Sequence, residues 1–482
     1  MHAAFLVAVL FALNSIRLQL DSLLIPNLLE RLGRAGLVLL LLSLGGVALY
    51  LLRRFSLQRL SRFARALVLI LSPLVLFNFG QGLWVTPRYA SMLRDKPTAS
   101  TLPPKRPNGA PRVLWLVFDE MDERLAFPEG AALVSLPEFE RLRAGSIYAT
   151  NAYPPAGATL LSMPAYITGR LVSKAREIRP DELELRFPDS SERGGWSTYP
   201  NIFARARAEG YNTGLVGWYH PYCRLFNESL TTCTWYTGTA ITDAEKLTVF
   251  QNMLFQLRNV LQSLPLWKRL DTPRRFDDQL FGKRDRTNLK TGRLDIHRAI
   301  RADALEIVVR PELGLTLIHF PIPHPPGIYD RRTGRFSTAP EASYIDNLAL
   351  TDKTFGELRR ALEDARLWDS TNIIVTSDHW LRYDVLNTVS GWLAPEDHAL
   401  IGGTKSHRVP FILKLAGQTE GFRYDSTFNT VVTHDLILAL LKGELSQPQQ
   451  IVKWLDEHRS TGSGLYDDAT AERERKETPK DE

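Results

Sequence analysis

The chain has 482 residues, of which 44% are hydrophobic, enough for one large domain with extensions or for two to three ordinary domains. Its formal charge of +6 could suit nucleic acid, but the Arg residues form no patch interleaved with aromatic residues. Many of them lie beside apolar segments in the first hundred residues. The composition therefore argues against a nucleic-acid partner and favours a membrane as the reason for the basicity.

Three apolar segments begin the chain, at residues 3–13, 35–52 and 66–85. The second and third are eighteen and twenty residues long and carry no charge, close to the length of about 20 residues that a transmembrane helix needs. The first is shorter, and we interpret it as a further span, with the core of a signal peptide as the alternative. Five Arg residues and no acid separate the last two segments, so this loop is expected to be cytoplasmic. The sequence therefore predicts a multi-pass inner-membrane domain at residues 1–86 and a soluble part that is periplasmic or extracellular.

The soluble part begins with a linker and continues as an alternation of strands and helices. Residues 87–111 contain six prolines among polar residues, as in an extended spacer. From 112 to 445, continuous apolar runs such as RVLWLVFDE and TNIIVTSDHW are typical of buried parallel strands. They alternate with helical patterns, of which the amphipathic segment 342–368 is the longest. This alternation predicts an α/β/α sandwich with a mostly parallel central sheet.

Two stretches depart from this alternation. Residues 240–300 are predicted to be an insertion. Their apolar stripe from Phe250 to Leu264 indicates a helix that packs on the domain's own core or, alternatively, lies on a membrane surface. Residues 446–482 are polar and are predicted to be a partly disordered tail.

The chain has two cysteines, Cys223 and Cys233, whose spacing differs from a C-x-x-C metal or redox motif. They form either a local disulfide or two inert thiols. A location outside the cytoplasm favours the disulfide.

Two of the predicted strands end in chemically active side chains, Asp119-Glu120 and Asp378-His379. Because the carboxyl ends of parallel strands meet at one edge of a sheet, we expect these acids and this imidazole to lie together there. Such ligands suit a divalent cation, and the His favours Zn²⁺ or Mn²⁺ over Mg²⁺ or Ca²⁺.

A candidate nucleophile, Thr159, follows a loop of Pro and small residues at 154–158 and begins an apolar helical segment. The first backbone N–H groups of a helix have no partner within the helix, and its dipole is positive at that end. An anionic ester placed there would be stabilised, so a hydroxyl at this point is well placed to attack it. The alternative is that Thr159 only caps the helix.

In chain order, these motifs resemble those of the sulfatase-like branch of the alkaline phosphatase superfamily, over about residues 112–440. The first strand of that family ends in a metal-binding acid, as VLWLVFDE ends at Asp119. The family's nucleophile precedes a T-G dipeptide by nine residues, as Thr159 precedes the dipeptide at 168–169, and Ser162 matches the small hydroxyl residue inside that motif. TSDHW matches the second metal motif.

Three further segments carry candidate substrate-side residues. EGYNTGLVGWYHPY is similar to the family's stretch with a substrate-side His, here His220. IHFPIPHPP supplies His319 and His324, spaced like two histidines of the phosphoethanolamine transferases. KSHRVPFI matches the last substrate-side segment, with Lys405 and His407, although His407 could instead stabilise its loop.

The resemblance implies an alkaline-phosphatase-like fold and a role for each matched residue. It assigns Asp119, Glu120, Thr159, Asp378 and His379 to the metal, Thr159, His324 and His407 to catalysis, and His220, His319 and Lys405 to the substrate. One cation is needed and a second is possible, with His319 or His324 as its ligand. Whether Glu120 ligates is left open, and His434 is expected to be structural.

Departures from the sulfatase pattern narrow the implied reaction. Thr is a secondary alcohol and cannot give the aldehyde hydrate of sulfatases, and Met163 and Trp218 replace a sulfatase Arg and Lys. We therefore expect a membrane-anchored phosphotransferase that moves phosphoethanolamine or phosphoglycerol from a lipid donor to an envelope glycan or lipid, through a phosphothreonine.

Two other functions remain open. Three spans are fewer than the five associated with lipid-headgroup transferases, so the main alternative is a tethered hydrolase of phosphodiesters or phosphomonoesters. A non-enzymatic membrane scaffold is disfavoured because candidates for the nucleophile and the ligands are all present.

Overall fold

The computed structural model describes residues 110–179, 182–236, 286–386, 392–401 and 407–459, together with residues 43 and 69. From residue 110 onward, these residues belong to one compact unit. Apart from residues 43 and 69, the three predicted membrane spans lie outside the described residues, as does Lys405. Within those ranges, no helix combines the length and the apolarity needed to cross a bilayer.

Fifteen strands and eleven α-helices alternate along the described chain. The strands are β1 (Arg112–Asp119), β2 (Ile147–Ala149), β3 (Ala152–Tyr153), β4 (Lys174–Arg179), β5 (Glu182–Arg186), β6 (Arg193–Gly195), β7 (Asn212–Trp218), β8 (Thr232–Tyr236), β9 (Leu313–Pro323), β10 (Tyr329–Asp330), β11 (Arg335–Phe336), β12 (Thr371–Ser377), β13 (Phe411–Lys414), β14 (Phe422–Tyr424) and β15 (Phe428–Asn429). The helices are α1 (Glu123–Ala126), α2 (Pro137–Ala144), α3 (Thr159–Thr168), α4 (Ile202–Ala208), α5 (Tyr222–Leu225), α6 (Arg286–Val308), α7 (Tyr344–Asp364), α8 (Tyr383–Leu386), α9 (Pro395–Ile401), α10 (Thr433–Lys442) and α11 (Pro448–His458).

The central sheet has eight strands in the order β14-β2-β13-β12-β1-β9-β7-β8. All neighbouring pairs are parallel except those of β13, which runs antiparallel to both β12 and β2. The predicted mostly parallel α/β sheet is therefore confirmed. Strand β1 lies between β9 and β12 and is parallel to both. The carboxyl ends of these three strands consequently meet at one edge of the sheet.

Strand β1 shows why an uninterrupted apolar run becomes a central strand. Successive side chains point to opposite faces, so Val113, Trp115 and Val117 join one hydrophobic cluster while Leu114 and Phe118 join the other. Each cluster is covered by helices: α3, α4, α10 and α11 pack on the first face, and α2, α6 and α7 on the second. This compact unit is thus an α/β/α sandwich.

Helix α7 is the predicted amphipathic helix. Its capping box joins Ser343 and Asp346, which satisfies backbone donors at the helix start. The predicted apolar stripe is fully buried against the sheet: Tyr344, Leu348, Thr351, Phe355, Leu358 and Leu362.

Two boundaries differ from the sequence-based expectation. Helix α6 begins within the predicted insertion at 240–300, yet it contributes buried residues to the core, including Ile300. Helix α11 lies within the predicted polar tail at 446–482, but its apolar residues Ile451 and Leu455 are one turn apart and both are buried. A short helix with one pair of apolar residues is mostly polar in composition, which is why the domain was expected to end at 445. The predicted disulfide between the two cysteines is present and joins α5 to β8.

Candidate active site

The candidate site forms where β1 and β12 end side by side. Their register pairs Phe118 with Ser377, so the next residues of the two strands, Asp119 and Asp378, are neighbours. Ser377 holds the two ends together, because its Oγ donates to the carbonyl of Phe118 at 2.6 Å and accepts from the N–H of Met121 at 2.8 Å. The ends of β1 and β12 therefore lie together, as the sequence predicts.

Three of the predicted ligands form a compact donor group. Atoms of Asp119, Asp378 and His379 that could bind a metal lie within 4.8 Å of one another, and all three side chains are fully buried. His379 Nε2 lies 3.5 Å from Asp119 Oδ1 and 3.5 Å from Asp378 Oδ2. His379 Nδ1 lies 2.9 Å from the carbonyl of Trp380, a contact that places the ring proton on Nδ1. The Nε2 lone pair therefore faces the two carboxylates and is available to a cation.

The donor group fits a divalent cation electrostatically. Both oxygens of Asp119 are buried without a hydrogen-bond partner among the described residues. Burial, followed by repulsion from Asp378 and Glu120, raises the pKa of Asp119 well above its usual range. Burial also raises the pKa of Asp378 to about 6. Burial lowers the pKa of His379 well below its ordinary value, so its imidazole is neutral. Clustered carboxylates of this kind need a positive charge in order to ionise together, which a divalent cation supplies.

Thr159 faces this donor group. It is the first residue of α3, and Ala158 occupies the N-cap position, so Thr159 does not cap the helix. Its Oγ1 instead donates to Asp378 Oδ2 at 2.6 Å and lies 3.2 Å from His379 Nε2. The structure thus corrects the interpretation of Thr159 as the helix cap, because its hydroxyl is directed at the predicted ligands instead.

The loop before Thr159 is fixed by close packing. A Cβ added to Gly157 would lie 2.7 Å from Cη2 of Trp380, closer than atoms of ordinary side chains approach. The Trp380 ring also packs against His407, with 4.3 Å between ring centroids. His407 is thus packed beside the tryptophan that lies against the loop before Thr159.

The remaining histidines surround the donor group. His220 Nε2 lies 3.2 Å from the carbonyl of Thr159, so this ring holds the backbone of the candidate nucleophile. His319 Nε2 lies 3.9 Å from Asp378 Oδ2, and its Nδ1 contacts the hydroxyl of Tyr222 at 3.1 Å. Burial lowers the pKa of His220 to about 4 and that of His319 to about 3. Both rings are therefore neutral at physiological pH.

His324 and Glu120 form a second contact beside the donor group. His324 Nε2 lies 3.7 Å from Glu120 Oε2, while its Nδ1 contacts the carbonyl of Pro325. Glu120 is not one of the three residues of the compact donor group. Its carboxylate accepts a hydrogen bond from Arg382 Nε at 2.9 Å. Glu120 has a φ of 59°, in the left-handed region, which turns the chain sharply after β1. Burial raises the pKa of Glu120 to about 7 in spite of Arg382.

A sequence profile described as "Type I phosphodiesterase / nucleotide pyrophosphatase" matches residues 131–381, just over half of the chain. The chain belongs to this family. The expected place in the sulfatase-like part of the alkaline phosphatase superfamily is thereby confirmed. The protein is accordingly an enzyme that acts on phosphate or sulfate esters. The matched range contains Thr159 and the Asp378-His379 pair, whereas Asp119 precedes it.

Several solved structures are similar to the chain at low identity. A sulfatase from a Pseudoalteromonas species is 16% identical, covers 70% of this chain and 69% of its own, and has a TM-score of 0.46. A protein of the alkaline phosphatase superfamily from Vibrio parahaemolyticus is 11% identical, with 73% and 72% covered and a TM-score of 0.41. Murine ectonucleotide pyrophosphatase / phosphodiesterase 5 is 13% identical, with 69% and 95% covered and a TM-score of 0.38. Among curated proteins, no sequence matches the chain.

Three residues of this phosphodiesterase-family site were not anticipated from the sequence. Arg382 follows Asp378 by four residues, so its position just after the metal motif was a usable signal. Tyr222 follows His220 by two residues and contacts His319. Arg293 stacks on Trp218, with Cζ 4.3 Å from the ring centroid. It was missed because its helix lies in the segment interpreted as an insertion.

Proposed function

We propose that this protein is a metal-dependent enzyme that cleaves a phosphodiester through a phosphothreonine on Thr159. The observation that carries the proposal is the hydrogen bond from Thr159 Oγ1 to Asp378 Oδ2 at 2.6 Å, inside a buried group of candidate metal ligands. Asp119, Asp378 and His379 would hold the cation together with the Thr159 hydroxyl. The mixed carboxylate and imidazole donors favour Zn²⁺ or Mn²⁺. Such a cation, when bound, lowers the pKa of a neighbouring hydroxyl and stabilises negative charge on phosphoryl oxygens.

The chain's own residues supply the other parts of the mechanism. Asp378 Oδ2 accepts the hydroxyl hydrogen bond of Thr159 and so orients Oγ1 for in-line attack on phosphorus. His220 fixes the carbonyl of Thr159 and with it the start of α3. As the bond between Oγ1 and phosphorus forms, Oγ1 gives up its proton, the ester bond to the leaving alcohol breaks, and the oxygen of that alcohol takes up one proton.

We assign proton exchange with the leaving and acceptor groups to His324. Its Nε2 faces the carboxyl of Glu120 at 3.7 Å, whereas the ring of His407 packs on Trp380. In the second half-reaction an acceptor hydroxyl attacks phosphorus and gives up its proton, the bond between phosphorus and Thr159 Oγ1 breaks, and Oγ1 takes up a proton. Lys405 and His319 remain the proposed substrate-side residues.

We further propose that the phosphodiester donor is a membrane phospholipid and that phosphoethanolamine or phosphoglycerol is transferred to an envelope glycan or lipid. Two features support this proposal: the apolar segments before residue 86, which would hold the site near a leaflet surface, and the disulfide, which suits a periplasmic or extracellular domain. Hydrolysis with water as the acceptor is the second candidate, and the phosphodiesterase description of the family favours it.

The test is to trap the intermediate. The full-length protein, reconstituted in vesicles of phosphatidylethanolamine or phosphatidylglycerol, is quenched in acid, and the peptide containing Thr159 is analysed by mass spectrometry. A headgroup-phosphate adduct with release of diacylglycerol supports lipid-headgroup transfer. An adduct that forms only with small soluble phosphodiesters supports hydrolysis.

Matched variants make the result specific. Thr159→Val removes the hydroxyl and keeps the shape of the side chain, so no adduct should form. Thr168→Val is the control, because Thr168 is a buried Thr of the same helix whose hydroxyl bonds only the carbonyl of Pro164 in the described structure, at 2.7 Å. No adduct from the wild-type chain with any phosphoester would remove the support for Thr159 as the nucleophile.

A further inference from the structure

Arg293 is a buried cation for which the described residues provide no polar partner. Its side chain lies on α6 and the residue is 6% exposed. Within the described ranges it forms no hydrogen bond or ion pair, and its Nη1 is shielded from solvent. The stabilising contact is with the ring of Trp218, 4.3 Å from the guanidinium carbon. A cation–π contact offsets only part of the cost of burying a charge, so this guanidinium is poised to bind an anion.

The stack lies beside the proposed reaction site. The ring centroid of Trp218 is 6.1 Å from that of His319 and 6.2 Å from that of His324. Burial lowers the pKa of Arg293, and the charges of Asp119 and Glu120 act in the opposite direction. These neighbours place Arg293 on the side of the site where β1 and β9 end.

The formal charges around the site suggest what this cation does. Asp119, Glu120 and Asp378 contribute three buried carboxyl groups, while Arg293 and Arg382 contribute two guanidinium groups. If all five groups are ionised, their net charge is one negative, and the addition of one divalent cation makes the net charge of the site one positive. A phosphodiester carries one negative charge and balances that excess, whereas a second divalent cation would leave a large positive charge buried.

We propose that Arg293 binds a non-bridging oxygen of the substrate's phosphodiester. In this proposal, Arg293 and Arg382 take the place of a second metal ion by providing its positive charge. The site therefore binds one divalent cation. The proposal rests on the proposed function in that it takes the substrate to be a phosphodiester. The planar guanidinium suits this role because it presents several N–H donors to phosphate oxygens while remaining stacked on an aromatic ring.

The binding of inorganic phosphate tests the proposal without requiring turnover. Titration calorimetry is performed on the full chain carrying Thr159→Val, in the presence of zinc, with Arg293→Gln or Arg293→Lys added. Arg293→Gln should weaken phosphate binding about tenfold to a hundredfold, since a charge-assisted hydrogen bond is lost. Arg293→Lys keeps the charge without the planar fork and should recover part of the loss.

Arg298→Gln is the matched control. Arg298 lies on the same helix and stacks on Phe336, with Cζ 5.0 Å from the ring centroid, but its side chain is half exposed and pairs with Asp295. This variant should bind phosphate as the Thr159→Val chain does. Equal phosphate binding by the Arg293→Gln and Arg298→Gln chains, both folded by thermal melting, would show that Arg293 only packs on Trp218.

The number of bound metal ions tests the second part of the proposal, that the site binds one divalent cation. Native mass spectrometry of the wild-type chain should find one zinc ion per chain, and Arg293→Gln should leave that number unchanged. Two zinc ions bound per wild-type chain would overturn the inference that guanidinium groups replace a second cation. Because neither measurement depends on catalysis, failure of the phosphothreonine experiment leaves both results interpretable.

Discussion

Replacement of Asp119 by Ala should have opposite effects on stability with and without metal. In the metal-free protein, both carboxyl oxygens of Asp119 are buried without a partner in the described part of the chain. Leaving a buried polar group unsatisfied costs about 1 to 3 kcal/mol, and the small cavity made by its removal offsets part of that amount. Asp119→Ala is therefore expected to stabilise the metal-free protein by about 1 to 2 kcal/mol, a rise of a few degrees in Tm.

Zinc should reverse this order. A cation that binds only the folded wild-type protein adds about 2.7 kcal/mol when its concentration is a hundred times Kd. Asp119→Ala removes one of the three side chains of the compact donor group and should lose nearly all of this gain. Thermal melts should consequently give Asp119→Ala a higher Tm than the wild type in EDTA and a lower Tm than the wild type in zinc.

Asp352→Ala is the control for the removal of a buried Asp. Asp352 accepts hydrogen bonds from the N–H groups of Phe139 at 2.8 Å and Glu138 at 3.3 Å, so it satisfies the start of α2. Its removal should cost about 1 kcal/mol in both buffers. The reasoning would be refuted if Asp119→Ala destabilised the metal-free protein as Asp352→Ala does and both variants gained equally from zinc.

Three other predictions concern the loop before the nucleophile, the pH dependence of stability and the topology. Gly157→Ala should lower kcat/KM for a phosphodiester about a hundredfold, because the new Cβ would displace Trp380 and the loop, and an unchanged rate would contradict this. His434 donates to the carbonyl of Tyr166 and burial lowers its pKa from 6.5 to about 4, so its neutral form is the folded form. Stability from this residue is therefore present above pH 6.5 and falls by up to about 3 kcal/mol as the pH drops towards 4. Urea denaturation at a series of pH values should therefore show that the free energy of unfolding falls less steeply below pH 6.5 for His434→Gln than for the wild type. An equally steep fall in the variant would contradict this role of His434. An alkaline phosphatase fusion after residue 95 should be active, and an inactive fusion would reverse the predicted topology.

Much of the fold and part of the site follow from local sequence signals. An apolar run without alternation, such as 113–118, requires burial on both faces, which two layers of helices provide here, and the acid that ends the run lies at the edge of the sheet. The sequence alone therefore predicts that Asp119, Asp378 and His379 lie together. Thr159 was identifiable because a loop of small residues delivers it to the start of a helix.

Other features depend on tertiary packing that leaves no local signal. Glu120 is adjacent to a candidate ligand, but the left-handed turn at this residue directs its carboxylate to Arg382. Strand β13 has the same apolar pattern as the parallel strands, because a strand buried on both faces needs apolar residues whichever way it runs. Its antiparallel direction therefore leaves no signal in the sequence. In the sequence, Arg293 is one of many Arg residues in a basic segment. Only the fold places it over the ring of Trp218.

Anomalous diffraction at the zinc edge, from crystals of the full-length protein grown with zinc, tests the central claim most directly. The account predicts one anomalous peak per chain, about 2.0 to 2.2 Å from Asp119, Asp378 and His379 and close to the Thr159 hydroxyl. A peak held by other residues, or none at these side chains, would contradict it.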